Sequence, residues 1–461
     1  MVFIKDIKIE DEFLIDLKSI LRKKTVKDVS VKDHPFGAGI TEGLNCILDI
    51  AKSYGFRTVN LNNYIGYAEF GQGDEYVGVL GHIDVVPEGN GWSTNPFEPI
   101  IKDGKVHGRG ALDDKGPLLA ALYALKLLKD SNIKLSKKVR VIFGTNEESG
   151  TEDIDYYLKR EESPLYCFTP DAYFPIVTSE KGILTFELVQ NLENVFDDYE
   201  IDYIKGGKRS NIVPDYCECK IIHNNNNQLI MALNDTSLKE IYKIDLEYSE
   251  NYIIIKSKGI ASHGSTPELG ENAIANILLY LNKVLKLKND FTMFLEDFSE
   301  LIGKDWDGNK LGINFYDEES GALTLNLGVI NENNSEIRMR FNIRYPVTIS
   351  HEDILNNIKH KIKDTNFIFH EGNHNAPLYF PKDHRLVMSL KKAYEEVVGE
   401  EAELLSTGGG TYAKLMPNTV AFGPLFKDNE NLAHQANEFI HVSLLEKCIQ
   451  IYARAIYELA R

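Results

Sequence analysis

Four short segments concentrate the residue types that can do chemistry. GHIDVVP (81–87) carries His82 and Asp84, and GRGALDDKG (108–116) carries Asp113 and Asp114. TNEESG (145–150) carries Glu147 and Glu148, and FTPDAYFP (168–175) carries Asp171. Several carboxylates and an imidazole brought together would repel one another unless a cation lay between them. Mixed histidine and carboxylate donors suit zinc, manganese or cobalt rather than a thiolate-selecting metal. A carboxylate that bridges two such ions holds them about 3.5–4 Å apart, a spacing used for hydrolysis. Taken singly, each segment has an ordinary explanation. His-x-Asp arises by chance, a Glu-Glu pair is usually a solvated face, and Asp113-Asp114 can simply start a helix.

Placement separates these segments from accident. Glu75 to Leu80 (EYVGVL) reads as a short buried strand bounded by glycines, Lys138 to Gly144 (KVRVIFG) as a β-branched strand, and Leu165 to Thr169 (LYCFT) as another. His82 with Asp84, Glu147 with Glu148, and Asp171 each follow directly on one of them. Leu118 to Lys129 (LLAALYALKLLK) is expected to be a buried helix, being rich in good helix formers and free of glycine and proline. Asp113 and Asp114 stand just before it, where a helix N-terminus favours negative charge. Residues 11 to 24 carry Phe13, Leu14, Leu17, Ile20 and Leu21 at the spacing of an amphipathic helix. Strands alternating with helices predict a parallel, doubly wound sheet, whose strand carboxyl ends form the ligand crevice. The charged clusters should therefore converge.

The texture changes after about residue 180. Phe186 to Val189, Tyr216 to Ile222, Asp245 to Ile255, Leu323 to Ile330 and Glu336 to Ile343 alternate with period two, as antiparallel strands do. Helical patterns at 271 to 287 and 350 to 363 lie between them, and Asn224 to Asn227 reads as a loop tip. From about residue 378 the earlier style returns. A helix is expected near 384 to 398, a glycine-rich turn at 408 to 410, a strand at 419 to 423 and a last helix at 441 to 460. Both ends of the chain then make one domain, with a second inserted between them.

Composition narrows the function classes. The 461 residues are 43% apolar and 26% charged, an ordinary globular balance. Lys and Arg number 51 against 69 Asp and Glu, a net charge of −18 that repels phosphate backbones and anionic membranes. Nucleic acid and membrane are therefore not expected partners. No stretch approaches the roughly 18 apolar residues of a membrane span, and the first twenty residues hold no signal-peptide core. Five cysteines make no disulfide framework, and Cys217 with Cys219 is a lone Cys-x-Cys. The chain reads as soluble, reduced and cytoplasmic.

The four segments, in this order and followed by LAHQANEF (432–439), resemble the co-catalytic metallopeptidases related to aminoacylase and glutamate carboxypeptidase. Within them the sequence is similar to the bacterial dipeptidase V branch, the Xaa-His dipeptidases, over nearly its whole length. The resemblance implies an α/β fold: a doubly wound mixed sheet in a catalytic domain (1–180 and 378–461), with an inserted α+β lid domain (181–377). It also implies two divalent metal ions, zinc first and manganese or cobalt as alternatives. His82 and Asp171 would bind one, Glu148 and His434 the other, and Asp113 would bridge them. Glu147 would be the general base that takes the proton of the bridging water and later delivers it to the leaving amine. Asp84 matches the acid that orients the His82 imidazole. Asp114 is the less defined member of its pair, and the family's Asp-Asp peptide is typically cis.

The inserted part contributes as well under this resemblance. SHGSTPELGENA (262–273) matches the segment whose histidine, here His263, reaches over the metals to stabilise the tetrahedral intermediate. Asn211 in KRSNIVP and Arg344 in NIRYP match positions that polarise the substrate and bind its carboxylate, the latter through a guanidinium fork. Gly408, Gly409 and Gly410 in STGGGTYA would let backbone N–H groups approach that same carboxylate. The other nine histidines lack a cluster, and Glu438 is open between supporting a ligand, capping and simple solvation. The expected protein is a dipeptidase for short unblocked dipeptides, working as a monomer on a small peptide substrate in a closed cleft. An N-acyl amino acid amidohydrolase, such as a deacylase or desuccinylase, shares the metal chemistry and differs only in pocket walls. A non-catalytic binding protein of the same fold would have lost Glu147 or a ligand, and none is lost.

Overall fold

A computed structural model describes residues 7–192, 199–223, 227–286, 289–333 and 336–461. The chain divides into two compact units, residues 1–179 with 379–461 and residues 180–378.

The first unit is built on a mixed sheet. Its central order runs Ile65–Phe70, Lys138–Gly144, Tyr76–His82, Tyr166–Thr169, Thr419–Ala421. The four strands from Lys138–Gly144 to Thr419–Ala421 are parallel to one another. The hairpin of Arg57–Leu61 and Ile65–Phe70 adds an antiparallel edge, so the parallel reading of the centre holds and the whole sheet is mixed. Strand periodicity divides the side chains between two cores. Val77, Val79, Val139, Val141 and Phe143 join the core that contains the helix Lys115–Asp130. Tyr76, Leu80 and Ile142 join a smaller core with Ile154, Tyr157 and Tyr412. Burial on both faces explains why these strands read as near-continuous apolar runs. Lys115–Asp130 buries Leu118, Leu119, Leu122, Leu125 and Leu128 completely, and packs beside Val442–Ala460.

The second unit is an eight-stranded sheet among the described residues. Its order is Ile244–Tyr248, Tyr252–Lys258, Tyr216–His223, Tyr199–Gly206, Thr324–Asn333, Glu336–Tyr345, Gly182–Asn191, Ile368–Asn375, antiparallel throughout. Helices Ala273–Val284, Asp290–Leu301 and His351–Ile362 complete its core.

Two local expectations change. Asp245 to Ile255 is a hairpin rather than one strand, because Ser249, Glu250 and Asn251 turn the chain and Ser249 N donates to Tyr252 O at 2.9 Å. Of the expected loop tip, residues 224–226 lie outside the described residues, and Asn227 begins the helix Asn227–Leu233.

Candidate metal centre and hydrolytic site

Three adjacent parallel strands release their carboxyl ends side by side, and each delivers part of the site. His82 is the last residue of Tyr76–His82, Glu147 and Glu148 follow Lys138–Gly144, and Asp171 follows Tyr166–Thr169. Asp113 lies just before the helix Lys115–Asp130, and the Asp113–Asp114 peptide is cis. His434 comes from the C-terminal part of the chain and has φ +64°, a left-handed conformation in which histidine is enriched.

The donors form two groups that share one residue. His82, Asp113 and Asp171 offer ligand atoms within 4.8 Å of one another, and so do Asp113, Glu148 and His434. His82 Nε2 lies 3.1 Å from Asp113 Oδ1 and 3.8 Å from Asp171 Oδ2. His434 Nε2 lies 3.1 Å from Asp113 Oδ2 and 3.0 Å from Glu148 Oε2. The two oxygens of Asp113 therefore face different imidazoles, as a bridging carboxylate would. Glu147, although it adjoins Glu148 in sequence, belongs to neither group.

The electrostatics fit cations at both places. His82 is fully buried, yet its Nε2 has no hydrogen-bond partner. Burial pushes the Asp171 carboxyl well above its usual range, reinforced by Asp113, and raises Glu148 as well. Burial also pushes Glu147 up to about 8, despite the opposing His82 charge. Asp113 is held low in spite of its burial, because the His434 and His82 imidazoles stand against its two carboxylate oxygens. Its hydrogen bond and that of Glu148 hold His434 up, to about 10. A cluster whose acids are driven towards protonation is short of positive charge, and nitrogen and oxygen donors at this spacing suit zinc-like or manganese-like divalent ions.

Asp84 does more than the sequence suggests. The His82 Nδ1 contact is with the backbone carbonyl of Asp84 at 2.9 Å, while the carboxylate stands 3.5 Å away. That carboxylate instead accepts the amides of Glu147 and Glu148, both at 3.1 Å. One residue thus orients the imidazole with its main chain and the Glu-Glu turn with its side chain. Asp114, at the start of the helix, makes no side-chain cap. It is buried and accepts the His82 amide at 3.1 Å, which explains Gly81: a Cβ there would stand 2.3 Å from Asp114 Oδ2.

Two supports, Asp153 and Tyr412, were not singled out from the sequence, and the role of a third, Glu438, was left open there. Asp153 is buried and its Oδ2 accepts Thr145 N at 2.7 Å, Asn146 N at 3.1 Å and the Tyr412 hydroxyl. Burial raises its pKa to about 6. Tyr412 ties the loop of Gly408, Gly409 and Gly410 to the Glu-Glu turn through Asp153, and its ring stands edge-on to His82 at 6.2 Å. Within that loop, Gly409 N donates to Thr407 Oγ1 at 3.0 Å. Glu438 is buried against the Asp113 loop, where Arg109 donates to it at 2.8 Å. Only Glu438 carried a signal, its spacing four residues after His434.

In the second unit, the remaining expected residues converge on one corner of the sheet. Ile212 bridges His263, and Gly264 N donates to Asn211 O at 2.8 Å. A Cβ on Gly264 would lie 3.0 Å from the Asn211 backbone, so the approach favours glycine. Thr324 Oγ1 donates to Gly264 O at 3.3 Å, and Thr324 pairs with Arg344 in the register. Asn326 Nδ2 donates to Ser210 O and Ile212 O at 2.7 and 3.0 Å, and it pairs with Asn342, which accepts Arg344 Nε at 2.9 Å. Arg344 is buried, and burial lowers its pKa to about 10. The Ser265 hydroxyl and amide both stand against His263 Nδ1, at 2.6 and 3.3 Å.

Residues 78–458 match the profile of "Peptidase family M20/M25/M40". The chain belongs to this peptidase family. A Bacillus subtilis (strain 168) relative named "Putative dipeptidase YtjP" is 36% identical over 457 residues, covering 98% of each chain. Two solved structures share the fold. Human carnosine dipeptidase 1 gives a TM-score of 0.58 at 17% identity, covering 98% of this chain and 96% of its own. Aminoacylhistidine dipeptidase from Vibrio alginolyticus gives 0.58 at 14%, with the same coverage. Membership makes the chain a hydrolase of the metallopeptidase kind. Among the described residues, no helix is long and apolar enough to cross a membrane.

Proposed function

We propose that the protein is a metal-dependent dipeptidase acting on short, unblocked dipeptides. The observation that carries this reading is the pair of donor groups sharing Asp113, with Glu147 held beside them by Asp84. His82 and Asp171 would hold one ion, Glu148 and His434 the other, and Asp113 both, with zinc the first expectation and manganese or cobalt alternatives. Two bound divalent ions would polarise the scissile carbonyl and lower the pKa of the attacking water. Glu147 accepts the water proton at its carboxylate and returns it to the departing amine. His263 presents its Nε2–H to the developing oxyanion, and Asn211 polarises the same carbonyl. On the family resemblance, Arg344, and separately the loop of Gly408, Gly409 and Gly410, would have the role of receiving the substrate carboxylate. The dipeptidase names of the relatives support this substrate class.

The test is hydrolysis of an unblocked dipeptide beside its N-acetyl analogue and a tripeptide, with and without chelator and added zinc or manganese. Cleavage of the dipeptide alone, abolished by chelator and restored by metal, is the expected result. Cleavage of only the acylated compound would move the protein to the amidohydrolases.

A further inference from the structure

We propose that Glu438 is a positioning residue that couples the two cation sites, by locking the loop that carries Asp113 to the turn that carries His434. This rests on the two-ion reading above. Glu438 is fully buried, and its two oxygens are used in full. Oε1 accepts Leu112 N at 2.8 Å and Asp113 N at 3.2 Å. Oε2 accepts Arg109 Nη1 at 2.8 Å and Gly110 N at 3.1 Å. The main chain adds to the lock, since Gly108 N donates to Glu438 O at 3.0 Å and Phe439 pairs with His107.

The other side of the lock is the turn itself. His434 and Asn437 both have left-handed backbones, and Asn437 Oδ1 accepts Ser93 N at 2.8 Å. The turn is therefore held on its own account, and the Glu438 carboxylate transmits its position to Asp113. Because Asp113 faces His82 with one oxygen and His434 with the other, a displaced Asp113 is felt at both sites. A carboxylate is required for this. Four N–H donors converge on it, and an amide of the same shape would point its own N–H bonds at some of them.

The experiment is zinc titration of the full-length protein against a chromophoric chelator, for the unaltered protein, Glu438→Gln, Glu438→Asp and His434→Ala. Glu438→Gln should weaken both ions by about 10–100-fold, the range typical of groups supporting metal ligands. His434→Ala should weaken only one. Glu438→Asp keeps the charge opposite Arg109 but shortens the reach to the four donors, so it should weaken both ions by less than Glu438→Gln, and it stands in if the glutamine variant does not fold. A lowered unfolding midpoint in chelator with zinc held as tightly as before would leave Glu438 a purely structural clamp and overturn the inference. Weakening of one ion only would overturn the coupling. Fewer than two ions bound by the unaltered protein would overturn the two-ion reading, and this inference with it.

Discussion

In the unit of residues 1–179 and 379–461, His82, Glu147, Glu148 and Asp171 stand where parallel strands end, and burial, reinforced by neighbouring acids, pushes carboxyls such as Asp171 towards protonation. In the unit of residues 180–378 the sheet is antiparallel and the notable group is a buried cation, Arg344, with Asn342 accepting from it. On the roles proposed above, one unit would attract cations and the other would meet an anion. The difference predicts two separable phenotypes: substitutions of donors in the first should change metal content, whereas substitutions in the second should change turnover with metal content intact.

The largest effect is expected at Glu147, which stands among the donors of the first unit without being one of them. Glu147→Ala removes the assigned base but no donor, so both ions should remain while kcat falls by about 10²–10⁴-fold. Metal analysis and kinetics on the same sample check it, and near-normal turnover would refute the base assignment. In the second unit, His263→Ala should lower kcat by about 10²–10³-fold, the size of losing one oxyanion donor, without changing metal content. Loss of an ion from that variant would dissolve the contrast between the units.

The same contrast explains what could be read from the sequence. His82, Glu147 and Asp171 were legible because a parallel sheet places functional groups at strand ends, and each strand is a contiguous apolar run. The elements around them were legible for the same reason. Asn211, His263 and Arg344 came only from resemblance, because sheet register joins them across long stretches of chain through Thr324, Asn326 and Asn342. Nothing local announces such register. Asp153 was silent too: an acid at the start of a short helix looks like a solvated first turn, and only the fold buries it under Tyr412.

Asp153 gives the smallest of the expected effects and sharpens the account of displaced protonation in the first unit. Burial raises its pKa from 3.8 to about 6, against the opposing Tyr412 hydrogen bond. An acid with a folded pKa above its unfolded value binds its proton more readily in the native state. The stability gained from that proton is fully present below about pH 4 and is lost as the pH rises through about 6. A shift of this size corresponds to about 3 kcal/mol, at 1.36 kcal/mol for each pKa unit. Asp153→Asn cannot ionise, so its deficit relative to the unaltered protein should be larger at pH 4 than at pH 7 by roughly that amount. Urea midpoints of both proteins in chelator, at the two pH values, measure it without interference from bound metal. A deficit that stayed constant would mean that Asp153 is ionised throughout, its charge carried by Thr145 N, Asn146 N and Tyr412. The turn bearing Glu147 would then be anchored by a charge across the whole pH range.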